Sequence, residues 1–423
     1  MKKLALFLVM ALLAMALVPA ALAEDPMVVA WWGNQTRNER TQAILDMYAA
    51  ENEGVSFDPQ FVAWADYWNK LATAAAGHTL PDVIQMDYQY LNQYVGSNLL
   101  VDLKPYMDSG VLDLSAVNAG IIQAGTSGEG IYAVCNGVNA PSLLYNKTLL
   151  DENGITVKDN MTMDEFIALC REVYEKTGYK TNIGYGTDTI FDYVLRGHGK
   201  TMFADGKLAV SAEDAVLYFG LYEQGIKEGW HVGSEVFAET TIGTVEQDPM
   251  IYGFDPSTMS WCAFFWSNQM TAMQNAAPEG MEIGITTWPS ADPVKSNYLK
   301  PSQFFSVTVD AKNPEASVKL IDYITNSVAC NEVLLGERGI PASSIVADAI
   351  APLMDANNQK VIDFINNVVS PNSSDVPAPN PDGSSEVFAL VDELVEQLCY
   401  GAIDAESAAE MLVTRGTEIM NNR

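Results

Sequence analysis

The chain has 423 residues, with 54 acidic against 23 basic side chains and a net charge of −31. So acidic a surface repels phosphate backbones and anionic lipids, which argues against nucleic-acid and membrane-surface roles but says nothing about a neutral ligand. At this length one hydrophobic core seldom suffices, so two domains are expected.

In chain order, the first stretch reads as a secretory signal over residues 1–23. Lys2 and Lys3 open it, Leu4 to Val18 form its apolar run, and Ala21-Leu22-Ala23 supplies the small residues of a cleavage site. Cleavage after Ala23 would leave a soluble exported chain starting at Glu24. No later run approaches the roughly 20 apolar residues of a membrane helix. The first cysteine is Cys135, so this is not a bacterial lipoprotein signal. The five cysteines (Cys135, Cys170, Cys262, Cys330, Cys399) are too dispersed for a disulfide framework, though spacing leaves one bond open. Cys170 and Cys399 sit in helical apolar stripes and read as buried thiols.

MVVAWW then reads as a strand and RNERTQAILDMYAAE as an amphipathic helix with Ile44, Leu45 and Tyr48 on one face. GVSFDPQFVA is a second strand. DYWNKLATAAAG is a second helix, N-capped by Asp66 and stopped by Gly77. PDVIQM and YQYLNQYVGSNLL repeat the pattern. Strands separated by single helices imply a parallel sheet with helices on its faces. Ligands of such sheets gather beyond the carboxyl ends of the strands, where WWGNQ and MDYQY fall.

After these, IYAVCNGV and SLLYN are β-like. TMDEFIALCREVYEKTG is a helix with Thr162 as N-cap, Glu165 at the capping-box position and Gly178 as stop. MFADGKLAV reads as a hairpin around Asp205-Gly206, and SAEDAVLYFGLYEQGIKEG as a helix. MEIGITTWP returns to strand. NPEASVKLIDYITNS is a helix opened by Pro314, and SPNSSDVPAPNPDGSS is a loop between helices.

Catalytic signatures are sparse. His78, His198 and His231 are too isolated for metal-ligand spacing, so no metal or cofactor is implied. GHGKT lacks the first glycine of a phosphate loop, and GTSGEG fails the spacing of a nucleophile elbow. A carboxylate pair cannot be ruled in or out in so acidic a chain. Aromatics are more telling. Trp31-Trp32, Trp64 with Tyr67 and Trp68, Tyr88 with Tyr90, Trp261 with Phe264-Phe265-Trp266, and Trp288 all lie near loops or strand ends. Adjacent strand residues point to opposite faces, so one sheet core cannot hold both Trp31 and Trp32. The reading assigns Trp31 to the core and Trp32 to a ligand; about half of the other rings are core, Trp68 first among them.

Four segments carry a resemblance: DYWNKLATAAAGHTLPDVIQMD, GIYAVCNGVNAPSLLYNKTLLDENGI, the WSNQ at Trp266 and GERGIPAS. In this order they resemble the bacterial extracellular solute-binding proteins of carbohydrate transporters, the maltose-binding-protein-like family 1. The resemblance implies an α/β, two-lobed periplasmic-binding-protein fold of type II, with the ligand cleft between lobes joined by hinge crossings. It implies crossings near Val134–Asn139, Ile283–Trp288 and Thr325–Asn331. Lobe one would be 24–135 and 286–327, and lobe two 136–285 and 328–423. By position, ligand contacts would come from Trp32, Gly33 and Asn34, from Trp64, Asp66 and Tyr67, from Asp87, Asn136 and Asn139, and from Trp266 and Ser267, with Trp288 and Gln303 added. GERGIPAS would serve lobe packing through a Gly339–Pro341 turn, with Arg338 either structural or functional.

The implied function is capture of a carbohydrate, without catalysis, for an ABC import permease. The implied protein is a soluble monomer, periplasmic or extracellular. Two other readings stay open at this point. One keeps the fold and changes the ligand to a polyamine, an amino-acid derivative or a phosphorylated polyol; only Arg37 and Arg40 near the first loop offer an anion a fork. The other is a secreted polysaccharide-cleaving enzyme.

Overall fold

The computed structural model describes residues 25–33, 35–62, 64–183, 188–239, 245–253, 255–378, 380–381 and 383–422. The signal-peptide reading and Asn34 lie outside these residues.

The first unit is a five-stranded sheet. Strands β1 (Met27–Trp32), β2 (Phe57–Val62) and β3 (Val83–Met86) alternate with helices α1 (Gln35–Glu51), α2 (Trp64–Ala76) and α3 (Tyr88–Gly96). Two strands from further along complete it, β4 (Val134–Asn139) and β8 (Lys300–Val307), in the order β2-β1-β3-β8-β4. β1 is parallel to β2 and β3, as the strand–helix alternation predicts. β8 runs antiparallel to both neighbours, so the sheet is mixed rather than parallel. The reason is that β8 re-enters from the second unit and is not the end of a strand–helix–strand crossover.

A second sheet is antiparallel and three-stranded, in the order β6-β5-β7: β5 (Pro141–Asn146), β6 (Cys262–Trp266) and β7 (Ile283–Thr286). The chain enters it from β4 through the single residue Ala140, and leaves it for β8 through residues 287–299.

Successive strand residues face opposite ways, and β6 shows the consequence. Ala263 and Phe265 join the core that surrounds the first sheet; Cys262 and Phe264 join a second core. β5 splits in the same way, with Leu144 in the first core and Leu143 in the second. The second core is built from helices α4 (Met163–Thr177), α5 (Ala212–Glu228), α9 (Ser384–Cys399) and α10 (Ala405–Asn421). The α4 cap is the expected capping box of Thr162 and Glu165, ended by Gly178 at φ 77°. The Asp205-Gly206 hairpin forms as read, between Phe203–Ala204 and Lys207–Leu208.

Two boundaries differ from the sequence reading. Helix α2 begins at Trp64, so Asp66 lies in its first turn and is not its N-cap. Helices α7 (Val328–Leu334) and α8 (Ser344–Ile350), expected beyond the last crossing, contribute Cys330, Leu334, Val346 and Ile350 to the first core. Helix α7 packs on α1, and it follows α6 (Pro314–Asn326) after the single residue Ser327. All five cysteines are buried and unpaired. Among the described residues no helix is long and apolar enough to cross a membrane, and no group of three or more His, Cys, Asp or Glu side chains is placed to hold a metal ion.

Candidate ligand-binding groove

The carboxyl ends of β1, β2 and β3 deliver Trp32, Trp64 and Asp87 to one edge of the first sheet. The adjacent tryptophans of β1 divide as their alternation requires. Trp31 is fully buried, and its indole N–H donates to Asn38 Oδ1 at 2.9 Å. Trp32 is half-buried and faces a cavity. Behind Trp32 stand Trp64, Tyr67 and Trp68, with ring centroids at 4.9, 5.2 and 5.6 Å. Tyr90 stacks on Trp68 at 3.9 Å. Gly33 is required beside Arg37: a Cβ there would lie 2.4 Å from the arginine Cδ.

The open space has two sections. The first, of ≈ 330 Å³, is bounded by Trp32, Trp64, Asp87, Asn139, Gln303 and the Gly336–Ile340 turn. The second, of ≈ 930 Å³, is bounded by Trp64, Asp87, helix α3, Trp266, Lys300 and residues 376–388. Trp64, Asp87 and Ser302 belong to both sections, so they form one groove. Its walls come from both sheets: Trp266 and Asn268 follow β6, whereas Trp32 and Asp87 follow strands of the first sheet.

Asp87 caps α3 by accepting from the Gln89 N–H at 3.0 Å, and burial raises its pKa above the ordinary carboxylate value. The Lys300 ammonium lies 4.2 Å above the Trp266 ring. Arg37 pairs with Glu337 at 2.9 Å and also donates to Trp32 O. Arg338 is buried and bound to neutral acceptors only. Its Nη2 donates to Thr41 Oγ1 at 2.6 Å, and its Nη1 to Gln85 and Gln303 side-chain oxygens. Burial pushes its pKa down to about 9. By joining α1, β3 and β8 it serves packing, and Gly339 beside it turns at φ 102° against Val138. Two buried polar atoms of groove-lining residues have no partner, Asn139 Oδ1 and Arg338 Nε.

Of the residues expected from sequence, the groove brings together Trp32, Trp64, Asp87, Asn139, Gln303 and Trp266. Of the other described ones it brings none. Tyr67 lies a turn deeper in α2 than Trp64, with its O–H given to Gln85 O at 2.8 Å. Trp288 is buried in the second core and donates to Ser142 O at 2.8 Å. Ser267 is spent on the crossing, its Oγ accepting from the Ala140 N–H at 3.0 Å. Asp66 is exposed and Gly33 half-buried, and neither lines either section. Asn136 is buried in β4 with both amide atoms unpartnered, away from the lining. Sequence reasoning missed Lys300, Tyr298, Asp192 and Asn358. Lys300 begins β8 and Tyr298 lies just before it, whereas Asp192 and Asn358 lie inside helices and carry no local signal, because their place in the groove depends on contacts distant in sequence.

The sequence profile of the bacterial extracellular solute-binding proteins matches residues 43–360, and the chain belongs to that family. Its two-lobed α/β fold agrees. An extracellular solute-binding protein of family 1 from Alicyclobacillus acidocaldarius superposes with a TM-score of 0.84 at 21% identity, covering 94% of this chain and 100% of that one. A periplasmic oligogalacturonide-binding protein from Yersinia enterocolitica gives 0.76 at 20%, covering 94% and 99%. A chain described as a de novo designed cysteine esterase gives 0.80 at 20%, covering 95% and 99%. At such identities the likeness is one of fold.

Proposed function

We propose that this protein captures a carbohydrate, an oligosaccharide, outside the cytoplasm and delivers it to an ABC import permease without transforming it. The observation that carries the reading is the groove itself. Aromatic rings line it at Trp32, Trp64 and Trp266, and the polar side chains of Asp87, Asn139 and Gln303 stand among them. Sugars match this pattern. Their C–H faces lie on indoles, and each hydroxyl both donates and accepts, which suits carboxylate and amide groups set beside the rings. The neighbour from Yersinia is described as binding an oligogalacturonide, which fits the same chemistry.

The lobes would be the first sheet with α1–α3 and α6–α8, and the second sheet with α4, α5, α9 and α10. The crossings would lie at Ala140, at residues 287–299 and after Ile350. A ligand touching Trp32 on one side and Trp266 on the other favours the closed arrangement by its differential contacts. The N-terminal signal reading supports export, and a monomer suffices because one chain supplies both walls.

One observation favours a second ligand class. The Trp266 face already carries an ammonium, that of Lys300, so a polyamine could replace it. A thermal-shift screen of the mature protein against neutral and acidic oligosaccharides, polyamines and sugar phosphates separates the two. A ligand at a hundredfold excess over Kd adds about 2.7 kcal/mol to stability. A shift with one sugar series and no product supports capture. A shift with polyamines alone changes the ligand, and product formation makes the protein an enzyme.

A further inference from the structure

The Pro- and Ser-rich stretch after Asn372 is not a spacer. Residues 373–378 and 380–381 carry no regular structure, yet the first of these is held by hydrogen bonds at Ser374, Asp375 and Pro377. On the side of the second core, the Ser374 N–H donates to Asn297 O at 2.8 Å and its hydroxyl to Lys295 O at 2.7 Å. Arg196 Nη2 donates to Ser374 Oγ and to Asp375 O, both at 2.7 Å. Arg196 ends the helix Asp188–Gly197, whose Val194 and Leu195 sit in the second core.

Just beyond this anchor the stretch reaches the other wall. Tyr88, the first residue of α3, donates its O–H to Pro377 O at 3.0 Å. The Tyr88 ring stacks on Phe304 of β8, so it belongs to the first sheet. Both Tyr88 and Pro377 line the larger section of the groove. The two walls therefore touch at this bond. Prolines at 377 and 381 narrow the conformations open to the free stretch, which lowers the entropy cost of holding it across the groove.

We propose that segment 373–378 is a strap that closes one end of the groove and sets the length of saccharide admitted, with the Tyr88–Pro377 hydrogen bond as its clasp; this rests on the carbohydrate reading above. A chain entering along the Trp32 and Trp64 walls and passing Trp266 stops at the clasp. A longer chain extends past it only by breaking that bond, at a cost of about three- to tenfold in affinity. The protein thus takes hold of short saccharides or chain ends, and discriminates against the interior of a polymer.

The experiment uses maltodextrins, xylo-oligosaccharides and oligogalacturonides, each from disaccharide to hexasaccharide, titrated calorimetrically into the mature protein. It compares the parent with Tyr88→Phe and with Arg196→Gln, which loosens the anchor away from the groove lining. The parent is expected to lose affinity beyond one length, and both variants to recover about three- to tenfold for the longer members relative to the shortest. Amide hydrogen exchange across the strap, measured without ligand, is expected to quicken in both variants. Sugars that bind with the same length profile in all three proteins overturn the strap and leave carbohydrate capture standing. Unchanged exchange in both variants overturns the clasp. If no sugar binds the parent, the carbohydrate reading falls and length selection falls with it.

Discussion

Trp31 and Trp32 differ by one position along β1, and alternation sends their indoles to different fates. Trp31 is fully enclosed, so Trp31→Ala should cost about 3–5 kcal/mol of stability through lost burial and the cavity left behind. Trp32 is a half-buried groove wall, so Trp32→Ala should cost less stability than Trp31→Ala, though not nothing because its ring packs on Trp64, Tyr67 and Trp68, and should weaken ligand binding by roughly 10- to 100-fold. Chemical denaturation and calorimetric titration of the two variants check both halves. Equal affinity in Trp32→Ala would remove that ring from the site.

A second residue-scale prediction concerns two buried groups, Asp248 and His231. Asp248 accepts from the Met250 N–H at 2.8 Å and from the Asn182 amide at 3.3 Å, and burial raises its pKa to about 7. The native state then holds a proton that the unfolded chain releases near pH 4. This contribution to stability is complete below that value and is lost as pH rises through 7. His231 has the opposite sign. It accepts the Ile183 N–H at Nε2, and burial lowers its pKa to about 4, so its contribution holds above the ordinary 6.5 and is lost as pH falls toward 4. Asp248→Asn should therefore gain roughly 1–3 kcal/mol over the parent at pH 8 and nothing at pH 4. Urea titrations at the two pH values decide it, and a constant difference would discard the buried-acid account.

At the scale of elements, most of the fold was legible. The helix α4 shows why: its capping box, apolar stripe and terminal glycine are all local. Thr162→Ala should cost about 1 kcal/mol, because Thr162 Oγ1 accepts the Glu165 N–H and the reciprocal Glu165 bond loses its orientation with it. A loss under about 0.3 kcal/mol would mean that tertiary packing, and not the cap, starts this helix. Illegible were features with no local cause. The direction of β8 depends on where the chain returns from, a crossing over residues 287–299 that carries no periodic signal. The early start of α2 had a subtler effect. Trp64 and Tyr67 lie on one face of the helix, and both touch Trp32, but Tyr67 is a turn deeper and its hydroxyl is spent on the backbone. A helix started at Asp66 leaves Trp64 outside it and Tyr67 in its first turn, and the family resemblance placed both in the site without separating their depths. Ser267 and Trp288 looked like ligand contacts for a related reason: they flank the groove in sequence, while their polar atoms hold the crossing strands together.

At the scale of the molecule, length alone led to an expectation of two domains, and the cores refine it. The second sheet has one face in each core. Ala263, Phe265 and Leu144 pack with the first, while Cys262, Phe264 and Leu143 pack with the second. Neither core can lose its packing without stripping a face of the same three strands, and β4 passes into β5 through one residue. Two domains tethered by linkers melt separately; two cores that share a sheet do not. The protein should therefore unfold in one calorimetric transition whose measured enthalpy equals the van't Hoff enthalpy, even though chains of this length often break that rule. Saturating ligand should move this single transition upward without splitting it, because the groove lies between the walls that the shared sheet joins. Two resolved transitions, with only one of them shifted by ligand, would show that the lobes fold independently and that the shared sheet belongs energetically to one of them.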